Sequence, residues 1–182
     1  GALLAVLSRD TRALPLDDAQ RLSHFPASPM VTISWMSGLE VGLVAADGWQ
    51  AFGARVMVAG SQSRPNVSWA PSTGVGHVAC FNADAAQALF GLDLAAIQDR
   101  FVPVEQAIDA QFAPLWQALT AYHGLDCLSV LEQHLARRWQ ALQGRAGSQV
   151  SLRQLGRHWV ARLAFQAHAW RSQHSPRRVK AF

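Results

Sequence analysis

From residue 137 to the end of the chain there is not one Asp or Glu, although that stretch holds nine Arg and one Lys. The first 136 residues carry six Arg and all twelve acids. The body is therefore net −6 and the C-terminal quarter +10, and the overall +4 hides the contrast. A solvated basic face would account for this; so would contact with a polyanion, nucleic acid being the first candidate. Charge is otherwise sparse, at 15% of residues against 50% apolar, which excludes a disordered tail. No apolar run approaches the roughly 20 residues needed to span a bilayer, so no membrane partner is expected. The opening GALLAVL is apolar but too short for a signal sequence, and it runs straight into Arg9-Asp10-Thr11-Arg12. A cytoplasmic protein is expected. Its two cysteines, Cys80 and Cys127, fit that compartment as buried free thiols. Internal repeats and low-complexity tracts are also lacking. At 182 residues the chain can bury one substantial core and add a small second module.

The stretch 75–100, VGHVACFNADAAQALFGLDLAAIQDR, organises what is present. Val75, His77, Ala79 and Phe81 alternate with Gly76, Val78 and Cys80, as a strand packed on both faces would. Asn82 and Asp84 can accept from the free N–H groups of a helix start, Gly91 suits the left-handed residue that ends one, and Asp93 can cap the next. Upstream, residues 1–29 read as irregular because Pro15, Pro26 and Pro29 each lack an N–H. Residues 30–36 read as a strand with Val31, Ile33 and Trp35 on one face and Thr32 and Ser34 on the other. Residues 39–45 make a second strand, Asp47-Gly48 a hairpin turn, and residues 51–59 a third strand, with a short pairing at 67–69.

Downstream the period lengthens. Residues 104–122 read as one or two helices, with Pro114 starting the second or kinking a single one. Residues 126–143 form a helix capped by Asp126, with Leu128, Leu131, Leu135, Trp139 and Leu142 at spacings of three and four and Gly144 at its end. The fold class expected is α+β: an N-terminal antiparallel β-barrel or sandwich followed by a helical C-terminal half. Residues 1–144 form the body, 145–149 a linker, and 150–182 a basic module. In that module an apolar helical face (Trp159, Val160, Leu163, Ala164, Ala167) is followed by a polar break and then Ser175-Pro176, a strong helix start. Arg177, Arg178 and Lys180 project from the turn that follows, in the grammar of a helix-turn-helix.

Catalytic and metal signals are thin. His77 and Cys80 form HxxC, but neighbouring ligands on one strand face sit at offset two, so no metal site is expected. Gly74-Val75-Gly76 precedes a strand, whereas a dinucleotide loop follows one. The acids are scattered singly. No enzyme and no cofactor are expected. Trp35, Phe52, Trp69, His77 and Phe81 fall in the strand-rich half, where they could line a ligand pocket or simply fill the core. Arg64 and Arg100 are candidates for an anion or for ordinary surface pairing. The helix at 126–143 could pack on the body or form a homodimer surface.

The closing SPRRVKAF resembles the start of the recognition helix in AraC-type transcription regulators, where a similar Ser-Pro-Arg opening is followed by more basic residues. The body resembles the N-terminal region of a subgroup of that family through RDTRALPLDDAQRLSHFPASPMVTISW, VMVAGSQSRP and CFNADAAQALFGLDLAAIQDRFVP, which together span most of residues 9–104 in order. The resemblance implies a sensory or dimerising N-terminal domain joined to a DNA-binding domain of two helix-turn-helix units. It implies DNA contact through Ser175, Arg177, Arg178 and Lys180 in the intact protein, and a small-molecule effector or a homodimer as partner. The pattern of that family continues well beyond the position of Phe182, so a recognition helix cut there is expected to bind DNA poorly. The other reading is a stand-alone small-molecule-binding domain with a basic tail.

Overall fold

The computed structural model describes residues 2–17, 20–122 and 127–145, with the side chains of 143–145 excepted. Two strands lie at its centre. β3 (Val31–Ser37) pairs antiparallel with β8 (Val75–Phe81) along its whole length. Both read clearly in the sequence because their faces alternate: Val31, Ile33 and Trp35 are buried on one side of β3, and Thr32 and Ser34 lie half-buried on the other. β8 in turn pairs with β1 (Leu3–Asp10), and β3 with β6 (Val56–Ala59), which carries the short β9 (Phe101–Pro103). The result is a five-stranded antiparallel sheet in the order β1-β8-β3-β6-β9. The remaining strands, β2 (Leu22–Phe25), β4 (Gly42–Ala45), β5 (Gly48–Ala51) and β7 (Asn66–Trp69), form a four-stranded antiparallel sheet in the order β2-β7-β4-β5. The fold is thus α+β with two antiparallel sheets, and among the described residues neither closes into a barrel.

Several expectations are corrected. Residues 1–29 are not irregular, since they contribute β1 and β2. The run from Leu3 to Leu7 is apolar on both faces and hides a strand's alternation; as an edge strand it leaves Leu4 and Leu7 in solvent. The strand expected at 51–59 is broken, because Gly53 adopts φ 69° and separates β5 from β6. The strand expected at 39–45 begins only at Gly42. β9 interrupts the helical half because its residues complete the sheet beside β6. The hairpin turn lies one residue earlier than expected, on Ala46 and Asp47, with Ala45 opposite Gly48 at the start of β5.

The caps follow the sequence closely. Asn82 is the N-cap of α1 (Ala83–Phe90), its side chain accepting from Asp84 N at 3.2 Å. Gly91 ends that helix at φ 72°, with its N–H donated to Gln87 O. Asp93 caps α2 (Leu94–Ile97), accepting from Ala95 N and Ala96 N. The span 104–122 divides into α3 (Val104–Ala107), a 3-10 turn over Ala110–Phe112, and α4 (Ala113–Ala121), with Pro114 in the first turn of α4. α5 (Leu128–Arg145) runs two residues beyond the expected end at 143, through Gly144 and into the first residue of the expected linker. Leu131 and Leu135 of α5 are buried in the same core as Ile33, Val58, Leu89 and Leu119. Asp126 as a cap, the linker from residue 146 onward, and the module at 150–182 all lie outside the described residues.

Candidate functional site

The densest polar chemistry inside the body is centred on His77. Antiparallel register sets three residues in a row across one face of the five-stranded sheet: Ser8 on β1 opposes His77 on β8, which opposes Trp35 on β3. His77 is 2% exposed. Its Nδ1 lies 2.8 Å from Ser8 Oγ, a hydrogen bond whose donor is set by the imidazole tautomer. Its ring stacks on the Trp35 indole. The fourth member, Cys127, comes from the start of α5, where its carbonyl accepts from Leu131 N. The cluster therefore joins β1, β8, β3 and α5.

Cys127 Sγ is 3.5 Å from His77 Nδ1 and 4.0 Å from Nε2. The sulfur is nearer Nδ1, which Ser8 Oγ also engages. Cys127 is also 0% exposed, so in this conformation a substrate in solvent reaches neither group. Burial holds the His77 pKa below its ordinary 6.5, and the ring is neutral at pH 7. Burial likewise pushes the Cys80 thiol above 9.0. Cys80 opposes Thr32, on the other face of the sheet from His77, so the HxxC pair does not converge. Among the described residues no group of three or more His, Cys, Asp or Glu side chains could hold a metal ion.

The five aromatic and histidine candidates separate into distinct places. Trp35 and His77 share the row described above. Phe81 lies farther along β8, packed edge-on to Phe90 of α1. Phe52 is half-buried and stacks on Phe101 of β9. Trp69 sits in the four-stranded sheet, edge-on to Trp49, whose Nε1 donates to the Trp69 carbonyl at 3.0 Å. Among the described residues the buried Trp35 Nε1 has no hydrogen-bond partner. Sequence reasoning singled out Trp35 and His77 but missed Ser8 and Cys127, which lie 69 and 50 residues from His77 along the chain. No local pattern marks either one.

The remaining candidates are engaged elsewhere. Arg100 Nη1 donates to Ala96 O, and the Asp99 carboxylate accepts from Ser63 N at 2.5 Å and from Ser63 Oγ at 2.9 Å. Those two bonds, with Arg64 nearby, hold the Asp99 pKa below 3.8. Leu131 and Leu135 pack α5 on the body, with Trp139 and Leu142 partly buried against the same core. Ser175, Arg177, Arg178 and Lys180 lie outside the described residues. No helix among the described residues is long and apolar enough to cross a membrane. No protein-family model, curated protein or solved structure matches the chain.

Proposed function

We propose that this chain is the effector-sensing or dimerising body of an AraC-like, DNA-binding transcription regulator, together with the start of its helix-turn-helix region. The observation that carries the reading is the ordered resemblance over residues 9–104, followed by a C-terminal quarter of charge +10 with no acid to oppose it. α5 fits this role, because Leu131 and Leu135 anchor it in the body core and Arg137 and Arg138 on the same helix begin the basic segment. The enclosed imidazole and thiol fit a body that binds and does not catalyse. We read the two sheets as layers of a sandwich. Met36, Met57, Ala59 and Cys80 are buried yet stand apart from the cluster that includes the helices, and a second layer over that face would cover them. The protein acts in the cytoplasm, on DNA, through Arg177, Arg178 and Lys180 on phosphates or base edges.

Reading the encoding frame past the codon for Phe182 tests this. A continuation of about a hundred residues with a second helix-turn-helix supports the regulator, by the resemblance that motivates it. A stop codon there removes most of the support for DNA binding.

One observation favours a second reading, a small-molecule-binding domain with a basic tail. A buried indole N–H without an acceptor costs about 1–3 kcal/mol, and a ligand carbonyl or hydroxyl against Trp35 would supply one. Ligand-dependent shifts in melting temperature that vanish in Trp35→Phe would support it.

A further inference from the structure

α5 packs on the body along one stripe. Leu131 and Leu135 are buried, and Leu142 is partly buried against the same core. Arg138 stands at this spacing too, three residues after Leu135 and four before Leu142, where a helix on a core calls for an apolar side chain. Arg137 is turned about 100° away from it around the helix. Arg137 is exposed, and Arg138 is half-buried.

The Arg138 guanidinium lies over the Phe112 ring, 4.9 Å from its centre, and Nη1 donates to Gln111 Oε1 at 3.2 Å. Phe112 is buried and packed against Phe90 and Trp116. Asp109 fixes the turn that carries it, accepting from Gln111 N at 2.8 Å. A guanidinium suits this position, because its planar, weakly hydrated head stacks on a ring while its stem covers apolar surface. No carboxylate pairs with Arg138 among the described residues. The ring and the amide oxygen hold the charge.

We propose that Arg138 is a positioning residue that clamps α5 to the turn at 110–112, and that Arg137 is the first side chain of the basic segment left to meet DNA. The second half rests on the regulator reading; the first does not. Two neighbouring arginines thus have opposite tasks, although the charge of +10 counts them alike. A guanidinium held by a ring and an amide neutralises no phosphate, so it releases no counterion when a duplex binds.

Urea unfolding of the whole chain, in a double-mutant cycle over Arg138→Gln and Phe112→Leu, tests the clamp. The pair should couple by about two- to fivefold in the unfolding equilibrium constant, as a partly exposed cation–π contact does. Arg137→Gln and Phe112→Leu should be additive. Gln111→Ala, on an exposed side chain, gives a second cycle with Arg138→Gln should Phe112→Leu fail to fold. Additive behaviour of Arg138 in the cycle overturns the clamp. The salt dependence of binding to random duplex DNA, read by fluorescence anisotropy, tests the division of roles. Arg137→Gln should lower the slope of log K against log salt by about one, and Arg138→Gln should leave it unchanged. An unchanged slope in Arg137→Gln, or a lowered one in Arg138→Gln, overturns that division. A native chain that binds no duplex even at low salt overturns the DNA half together with the regulator reading, and the urea cycle still decides the clamp.

Discussion

The Trp35 indole and the His77 imidazole lie stacked across β3 and β8, their centroids 5.2 Å apart and their planes at 17°. An aromatic roof on one side, a hydroxyl at Nδ1 and a thiol across the ring suit a neutral imidazole. No carboxylate hydrogen-bonds to it among the described residues.

Stability should therefore depend on pH through His77. Its folded pKa lies below 6.5 because burial penalises the cation, while the unfolded ring titrates near 6.5. Above that pH both states are neutral and the contribution is flat. As pH falls below 6.5 the unfolded chain takes up the proton first, and stability declines until the folded ring protonates as well. Urea midpoints should fall between pH 7 and pH 5, and His77→Gln should flatten that slope whatever its effect on the overall level. Midpoints that rise on acidification would contradict the assignment.

Both cysteines are buried thiols outside any disulfide, so native thiol labelling should be slow. Labelling of Cys80 and Cys127 by an aromatic disulfide reagent should be complete in denaturant. In buffer it should follow the rate at which the fold opens. Rapid native reaction of Cys127 would show that the His77 cluster is open to solvent.

Two glycines should resist alanine for different reasons. A Cβ on Gly60 would meet the Ile97 carbonyl oxygen at 2.2 Å, and backbone cannot swing aside. Gly60→Ala should cost about 2 kcal/mol or more, as a steric conflict in a packed site. Gly91 has open space but φ 72°, so Gly91→Ala should cost only about 1 kcal/mol, and Gly91→Asn less. Chemical denaturation of the three variants ranks them. Equal costs would contradict the distinction.

That pair also shows what was legible in the sequence. Gly91 is marked by the Asn82-to-Gly91 grammar of caps, which is local, whereas Gly60 is constrained by the last residue of α2, 37 residues away. β3 and β8 were readable because one face is apolar and the other mixed. β1 was not, since an apolar run with no alternation carries no period. The break at Gly53 was missed because Phe52, Ala54, Val56 and Val58 keep a strand's spacing across it. His77 and Trp35 could be picked out as a polar and an aromatic residue on strand faces. Their partners Ser8 and Cys127 arrive through pairing and helix docking, and short-range patterns do not encode those.

Loss of the Asp93 cap offers a milder test of the helical half. Asp93 accepts from two orphan N–H groups, at 3.0 and 3.2 Å. Asp93→Ala should cost about 1 kcal/mol, with Asp93→Ser recovering most of it. Failure of Ser to rescue would assign the loss to something other than capping.

The regulator reading stands or falls on DNA binding by the protein that its encoding frame specifies. Fluorescence anisotropy with duplex fragments from the neighbourhood of that frame, titrated at several salt concentrations, measures it directly. The account predicts one fragment bound at least a thousandfold more tightly than random duplex, with affinity falling steeply as salt rises. It also predicts weaker binding when Arg177, Arg178 and Lys180 are replaced together by Ala. Equal affinity for every duplex, unchanged by that triple substitution, would contradict it and leave a binding domain with a basic tail.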